Sequence, residues 1–324
     1  MNAAMLRGRY LALLGPLCLA AAVPTHSPDP QLWVSNELSN TLSVISPRSN
    51  GVTATIPVGK RPRGLAGSPD RRTVYVALGQ DDAVGVIDIA QAKLTRTIPA
   101  GRDPELVVVS PDGKTLYVSN EEIAHVSAID VATGQLKFST PVGVEPEGIA
   151  LSPDGAKLYV TAETSNNVSV LDARNGRLLK TIPVGENPRT VAVTPDGRRA
   201  YVTAEAGGNV TVIDLATDVV LAQFPIRDGK TKPVRIAFAP DGRLAYVTEG
   251  AAGTVSVIDL ALAKVIDTIP VGKRPWGIAL SPDAKHLYTA DGRSNQVSVI
   301  DTETQKVVAS IPVGERPNDL LYIP

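Results

Sequence analysis

The strongest constraint on this chain is that it repeats itself. Prolines at Pro62, Pro104, Pro146, Pro188, Pro233, Pro275 and Pro317 open near-identical units, at steps of 42, 42, 42, 45, 42 and 42 residues. A second ruler agrees with the first: Asp70, Asp112, Asp154, Asp196, Asp241 and Asp283 each follow a proline in a turn and keep the same spacing. The three extra residues lie around Asp228-Gly229-Lys230. A fixed period of this length decides the architecture before any local propensity does.

One unit, residues 146–185, shows what is being repeated. Gly148–Leu151, Lys157–Thr161, Val168–Asp172 and Arg177–Ile182 are short apolar runs, rich in β-branched residues and partly alternating with period two. That pattern is the signature of strands. Turn chemistry separates them, as in Ser152-Pro153-Asp154-Gly155, where proline presets φ at the second turn position. No helical stripe survives in any 11-residue window. Four strands per ~42 residues without a helix predict the blade of a β-propeller.

The count of blades follows from the two ends. Leu32–Ser35, Thr41–Ser46 and Thr53–Pro57 read as second, third and fourth strands, and Pro317–Pro324 as a first strand with no successor. The expected fold is therefore all-β: a seven-bladed propeller of four-stranded antiparallel blades, closed by a three-plus-one clasp in which the C-terminal strand completes the N-terminal blade. Closure removes the open edges that a linear array would expose. Residues 31–324 form this single domain.

Residues 1–22 differ in kind. Arg7 and Arg9 precede an apolar run from Tyr10 to Val23, and Ala20-Ala21-Ala22 offers a small-residue cleavage site. This predicts a secretory signal, too short for a comfortable membrane span. Residues 23–30 form a short lead, and the mature protein is expected in the periplasm or secreted. The single cysteine, Cys18, leaves with the signal, in a Gly15-Pro16-Leu17 context poor for lipid attachment. The mature chain has no thiol ligand for a metal. With 32 basic against 33 acidic residues, no basic surface suggests nucleic acid.

Most recurring polar residues have structural explanations. Asp88, Asp130, Asp172, Asp214, Asp259 and Asp301 end the third strands, where they cap their own turns. His26, His125 and His286 fall in the lead and in two separate blades, so no metal site, nucleophile–base pair or catalytic residue is expected.

What varies between blades is more informative. The segments flanking each proline, together with the loops after each second strand, form one rim of the ring and its channel mouth. Arg63, Arg189, Arg235, Arg274, Trp276 and Asn318 fall here with Glu105, Glu145 and Glu147, and these nine are the candidate binding residues. Bases gather over blades six, seven, one and two, and acids (Glu186 among them) opposite. Second strands also end in acids at Glu37, Glu121, Glu163, Glu205, Glu249 and Asp291. A polarised rim would orient a protein partner or an anionic ligand, with Trp276 as its anchor; the competing reading is a solvated surface of locally paired charges.

Tyr75-Val76, Tyr117-Val-Ser-Asn120, Tyr159-Val-Thr161, Tyr201-Val-Thr203 and Tyr246-Val-Thr248, with the Ile-Pro-Val-Gly and Ser-Pro-Asp-Gly tags, resemble the YVTN-family β-propeller repeat over essentially the whole mature chain. The seven repeats and export signal resemble the periplasmic propellers associated with PQQ-dependent alcohol catabolism. That resemblance implies an accessory protein without cofactor of its own, whose partner is a quinoprotein dehydrogenase or transport component, or else a small-molecule ligand. Related propellers include lactonases and haem d1 proteins. No rim histidine is placed to ligate haem, and no lactonase acid–arginine–histidine set is recognisable. Three readings follow: a non-catalytic binding or scaffolding protein, a lactonase-like hydrolase using Glu163 or Glu205 with Arg189, and a quinone or haem carrier.

Overall fold

A computed structural model describes residues 29–324; the expected signal peptide and nearly all of the lead lie outside the described residues. Seven four-stranded antiparallel sheets form the ring, and each blade after the first runs through four consecutive strands from channel to rim. Blade four illustrates the order: Pro146–Leu151 innermost, then Lys157–Ala162, Asn167–Asp172 and Leu178–Pro183. Blade one is composite. The C-terminal strand Pro317–Ile323 pairs antiparallel with Gln31–Asn36, which continues to Thr41–Ser46 and Gly51–Pro57. The three-plus-one clasp is therefore present, and boundaries move from the sequence reading by only one or two residues. Among the described residues, no helix is long and apolar enough to cross a membrane.

Strand alternation makes the core a property of neighbouring blades rather than of any single one. In blade four, Leu158 and Val160 pack toward blade three with Tyr117 and Val126, whereas Tyr159 packs toward blade five with Val202 and Ile213. Seven such clusters, one per interface, close the ring. Outer strands are exposed except for one inward residue, such as Ile56, Ile98, Ile182, Phe224, Ile269 and Ile311. Ile226, just before the three-residue insertion, packs into the interface between blades five and six, as Val142 and Val184 do at theirs.

The repeat's polar marks now acquire partners. All six third-strand aspartates accept backbone N–H bonds within their own turns, for instance Asp130 from Ala132 and Thr133. The hydroxyl of the Tyr-Val-Thr/Ser segment links blades. Ser119 Oγ donates to the Glu147 carbonyl at 2.7 Å, Thr203 Oγ1 to that of Val234 at 2.6 Å, and Thr248 Oγ1 to that of Trp276 at 2.8 Å. The tyrosine does the same further out, with Tyr117 Oη on the Ala173 carbonyl and Tyr159 Oη on the Asp218 carboxylate.

Thr203→Val keeps the side-chain volume and orphans the Val234 carbonyl at a buried interface. It should cost about 1–3 kcal/mol, read as a shift of the denaturant midpoint at unchanged slope.

Candidate functional site at the channel mouth

The mouth is built by one backbone device used seven times. The residue before each repeat proline (Arg61, Asp103, Glu145, Asn187, Lys232, Arg274, Arg316) is left-handed, with φ between 49° and 58°. Its carbonyl accepts the N–H that follows the second strand of its own blade, from Gly79, Glu121, Glu163, Glu205, Gly250, Gly292 and Glu37 respectively. In four blades its own N–H is held by an Asn or Asp of the preceding blade: Asn40, Asp82, Asn166 and Asn295. The left-handed turn swings its side chain over the mouth, and the residue after the proline lines the channel just below.

The charged candidates form interlocked pairs rather than two separate sectors. Arg63 is buried with Glu105, Glu37 at 3.5 Å and Glu147 at 3.7 Å. Arg61 bonds Glu105 at 2.9 Å and also Asp103. Arg189 gathers three carboxylates, those of Glu147, Glu163 and, at 2.6 Å, Glu205. Arg274 reaches Glu205 at 2.9 Å. Thus the bases of blade two lie among the acids of blades one, three and four, and the expected segregation fails there.

Trp276 is 8% exposed, so it does not stand free as an anchor. Its ring lies within a cage of guanidinium groups, 4.5 Å from Arg274, 5.6 Å from Arg189 and 6.0 Å from Arg63. Asn318 is buried with its Nδ2 unpartnered, Arg235 is half-buried and bonds Thr190 Oγ1 at 3.3 Å, and Glu145 accepts from Thr164.

The acids grouped at the ends of second strands divide by register. Glu37, Glu121, Glu163 and Glu205 follow the strand and face the mouth. Glu249 and Asp291 sit one residue earlier, paired with Pro233 and Pro275, and point the opposite way. Both are 0% exposed. Glu249 takes bonds from Thr254, Ser256 and Arg227, and Asp291 from Thr289, Ser298 and Gln296. They hold the blade together. At the mouth-facing position blades two, six and seven carry Gly79, Gly250 and Gly292.

Sequence reasoning also missed a cluster. Asp103, Glu105 and Glu121 bring carboxylate oxygens within 4.8 Å of one another, close enough to hold a metal ion. The Arg61 guanidinium bonds two of them and supplies positive charge at that spot. Adjacent numbering gave no hint, because Glu121 arrives from the end of the next strand.

Burial, opposed by the Arg63 charge and reinforced by Glu147 and Glu121, raises the Glu105 carboxyl from 4.5 to about 8. Burial alone would lower Arg63, yet the surrounding carboxylates hold it above its ordinary value. The turn aspartates shift the other way: the Ser and Thr hydroxyls and backbone amides bonded to Asp70, Asp112, Asp154 and Asp196 lower them.

These shifts set a stability profile. Glu105 binds its proton more tightly when folded, so its contribution is full below its ordinary value of 4.5 and declines as pH rises toward 8. The aspartates bind theirs less tightly, so their contribution is present above 3.8 and is lost as pH falls through their lowered values. The melting temperature should therefore peak in mildly acidic solution, and Glu105→Gln should flatten the decline toward pH 8 while leaving the acid limb intact. Arg189→Met leaves Glu163 without its ion-pair partner, Glu147 with Arg63 alone, and Glu205 with Arg274 and Lys232. It should destabilise by about 3–5 kcal/mol in equilibrium unfolding, with Arg189→Lys recovering only part because one ammonium cannot span all three.

Comparison with known proteins places this arrangement on a widespread scaffold. Hydrazine synthase from Kuenenia stuttgartiensis contains a chain that superimposes with a TM-score of 0.77 at 26% identity, covering 89% of this chain and 99% of that one. A candidate 6-phosphogluconolactonase from Bacteroides uniformis matches with a TM-score of 0.77 at 17% identity, covering 91% and 100%. Dihydro-haem d1 dehydrogenase NirN matches with a TM-score of 0.70 at 19% identity, covering 92% of this chain and 67% of that one. No curated protein sequence matches significantly. Residues 52–318 match the model of one family, and the chain belongs to the virginiamycin B lyase family of seven-bladed propellers.

Proposed function

We propose that this protein is an exported, non-catalytic binding module whose channel-mouth face docks a protein partner in the periplasm. The observation that carries this reading is the saturation of the mouth: Arg189 alone engages Glu147, Glu163 and Glu205, the acids a hydrolase would need free as general bases. A self-paired, caged mouth supplies a rigid face of fixed shape. On that face, over blades three and four, Ile123 and Val144 are exposed beside Glu122 and Glu145. An apolar spot rimmed by acids suits a partner carrying a basic, apolar patch. The resemblance to propellers of PQQ-dependent catabolism supports a quinoprotein dehydrogenase or transport component as that partner.

One observation favours a second reading. The family is named for a lyase, a fold neighbour is a candidate lactonase, and the trio Asp103, Glu105 and Glu121 is spaced to hold a metal ion. A ring-opening activity on lactones would draw on that cluster once Arg61 moved aside. The quinone or haem carrier has no comparable support from the mouth, where the Trp276 ring is already met by three arginines.

The deciding experiment is affinity capture with the mature protein in its own periplasmic extract. The expected result is one enriched protein, lost in high salt and lost with the triple variant Glu122→Lys, Val144→Asp, Glu145→Lys at an unchanged melting temperature. Undiminished capture by that variant, or turnover of a lactone panel that depends on divalent metal, overturns the docking module.

A further inference from the structure

The rim position that separates Glu from Gly also creates a cleft. Over blades six and seven a cavity of about 470 Å³ opens on the mouth face, lined by Lys232, Lys273, Arg274 and Arg293, with the loop from Gly250 to Gly253 as its floor. No acid lines it. The floor, Gly250-Ala251-Ala252-Gly253, carries nothing larger than a methyl group, whereas the equivalent loop of blade four reads Glu163-Thr-Ser-Asn166. Blade five supplies the nearest counter-charge from outside the lining: Glu205 lies 2.9 Å from Arg274 and 3.8 Å from Lys232. Among the described residues, Lys273 and Arg293 form no ion pair, and both are exposed.

These cations are held in place by backbone. Lys232 and Arg274 occupy the left-handed pre-proline position, and their carbonyls bind the amides of Gly250 and Gly292 at 2.8 and 3.0 Å. The Arg293 amide binds the Lys273 carbonyl at 3.0 Å, and Ser294 Oγ accepts the Lys273 amide at 2.8 Å. Two loops of blade seven and one of blade six therefore converge their positive side chains on one cleft without rearrangement. Convergent donors on preorganised backbone recognise oxyanions, because Arg and Lys make short charge-assisted bonds to carboxylate and phosphate oxygens.

We propose that this cleft is an anion-binding site for a small ligand bearing two or more carboxylate or phosphate groups. Its volume exceeds what a lone phosphate needs, and its surplus of unpaired cations matches a polyanion. The proposal goes beyond the docking reading, since it concerns blades six and seven rather than three and four and a small molecule rather than a protein.

Isothermal titration of the mature protein with citrate and with inorganic pyrophosphate, at low ionic strength, tests it. One or both should bind at one site per chain, and the stronger of the two identifies which oxyanion the cleft prefers. Lys273→Glu and Arg293→Glu, on exposed side chains, should each weaken binding by about tenfold or more. Gly250→Glu installs the acid that four other blades carry at this position and should abolish binding; a Cβ there comes to 3.0 Å from the Arg274 guanidinium, which gives by a few tenths of an ångström. Arg102→Glu, on the rim of blade three and paired with Glu122 at 2.8 Å, should change nothing. Failure of both probes to bind, or equal binding by wild type and the Lys273 and Arg293 variants, overturns the site whatever the outcome of partner capture.

Discussion

Seven times the chain passes from the outermost strand of one blade to the innermost strand of the next through a left-handed residue followed by proline. A side chain in that conformation costs roughly 1–2 kcal/mol, and six of the seven are large and charged, so the cost is real in every blade. Two hydrogen bonds offset it. The carbonyl always receives the amide beyond the second strand, and in four blades the amide is received by an Asn or Asp that belongs to the blade before. The turn thus couples closure of each blade to its placement beside its neighbour. It also leaves the side chain with one direction to go, inward over the channel. Fold and site share a single backbone solution.

The charges delivered to the axis are then too many and too buried to remain independent. Buried ion pairs seldom add stability over well-packed apolar residues, because desolvation consumes the Coulombic gain. What they impose is mutual dependence. Arg63, Glu105 and Glu147 come from three blades and are buried together, so removing one leaves the others with buried charge uncompensated. Burial, with Glu147 and Glu121 crowding it, raises the Glu105 carboxyl even between Arg61 and Arg63. Trp276 offers an aromatic face to three arginines, each of which also holds a carboxylate.

The ring was legible because its evidence is translational: prolines and turn aspartates at one spacing require one unit, and a blade short of its first strand at one end matches the lone first strand at the other. The site was legible only by position. Sequence placed Arg63, Glu105, Glu147, Arg189 and Trp276 at the mouth, since the proline fixes the register there. It could not tell that Arg63 would cross to Glu147 two blades away, because pairing across a channel depends on side-chain length and tilt. Glu249 and Asp291 were misassigned for a simpler reason. In a strand a shift of one residue reverses the face, and an acid ending a strand looks the same in either register. The Trp276 cage was invisible because two of its three arginines, Arg63 and Arg189, come from blades far from it in sequence.

Repetition also makes departures meaningful. At the position after the second strand, four blades place a glutamate and three a glycine on the same backbone. A Cβ at Gly79 would strike Asp103 Oδ1 at 2.7 Å, and one at Gly292 would strike the Trp276 ring at 2.8 Å, so those two glycines accommodate the mouth network itself. Gly250 is different. A Cβ there would come to 3.0 Å from the Arg274 guanidinium, a looser contact than at the other two glycines. Steric need is strongest at the first two glycines, and at the third bareness has a further effect: it keeps a negative charge away from Lys232, Lys273 and Arg293 and leaves open the floor between them.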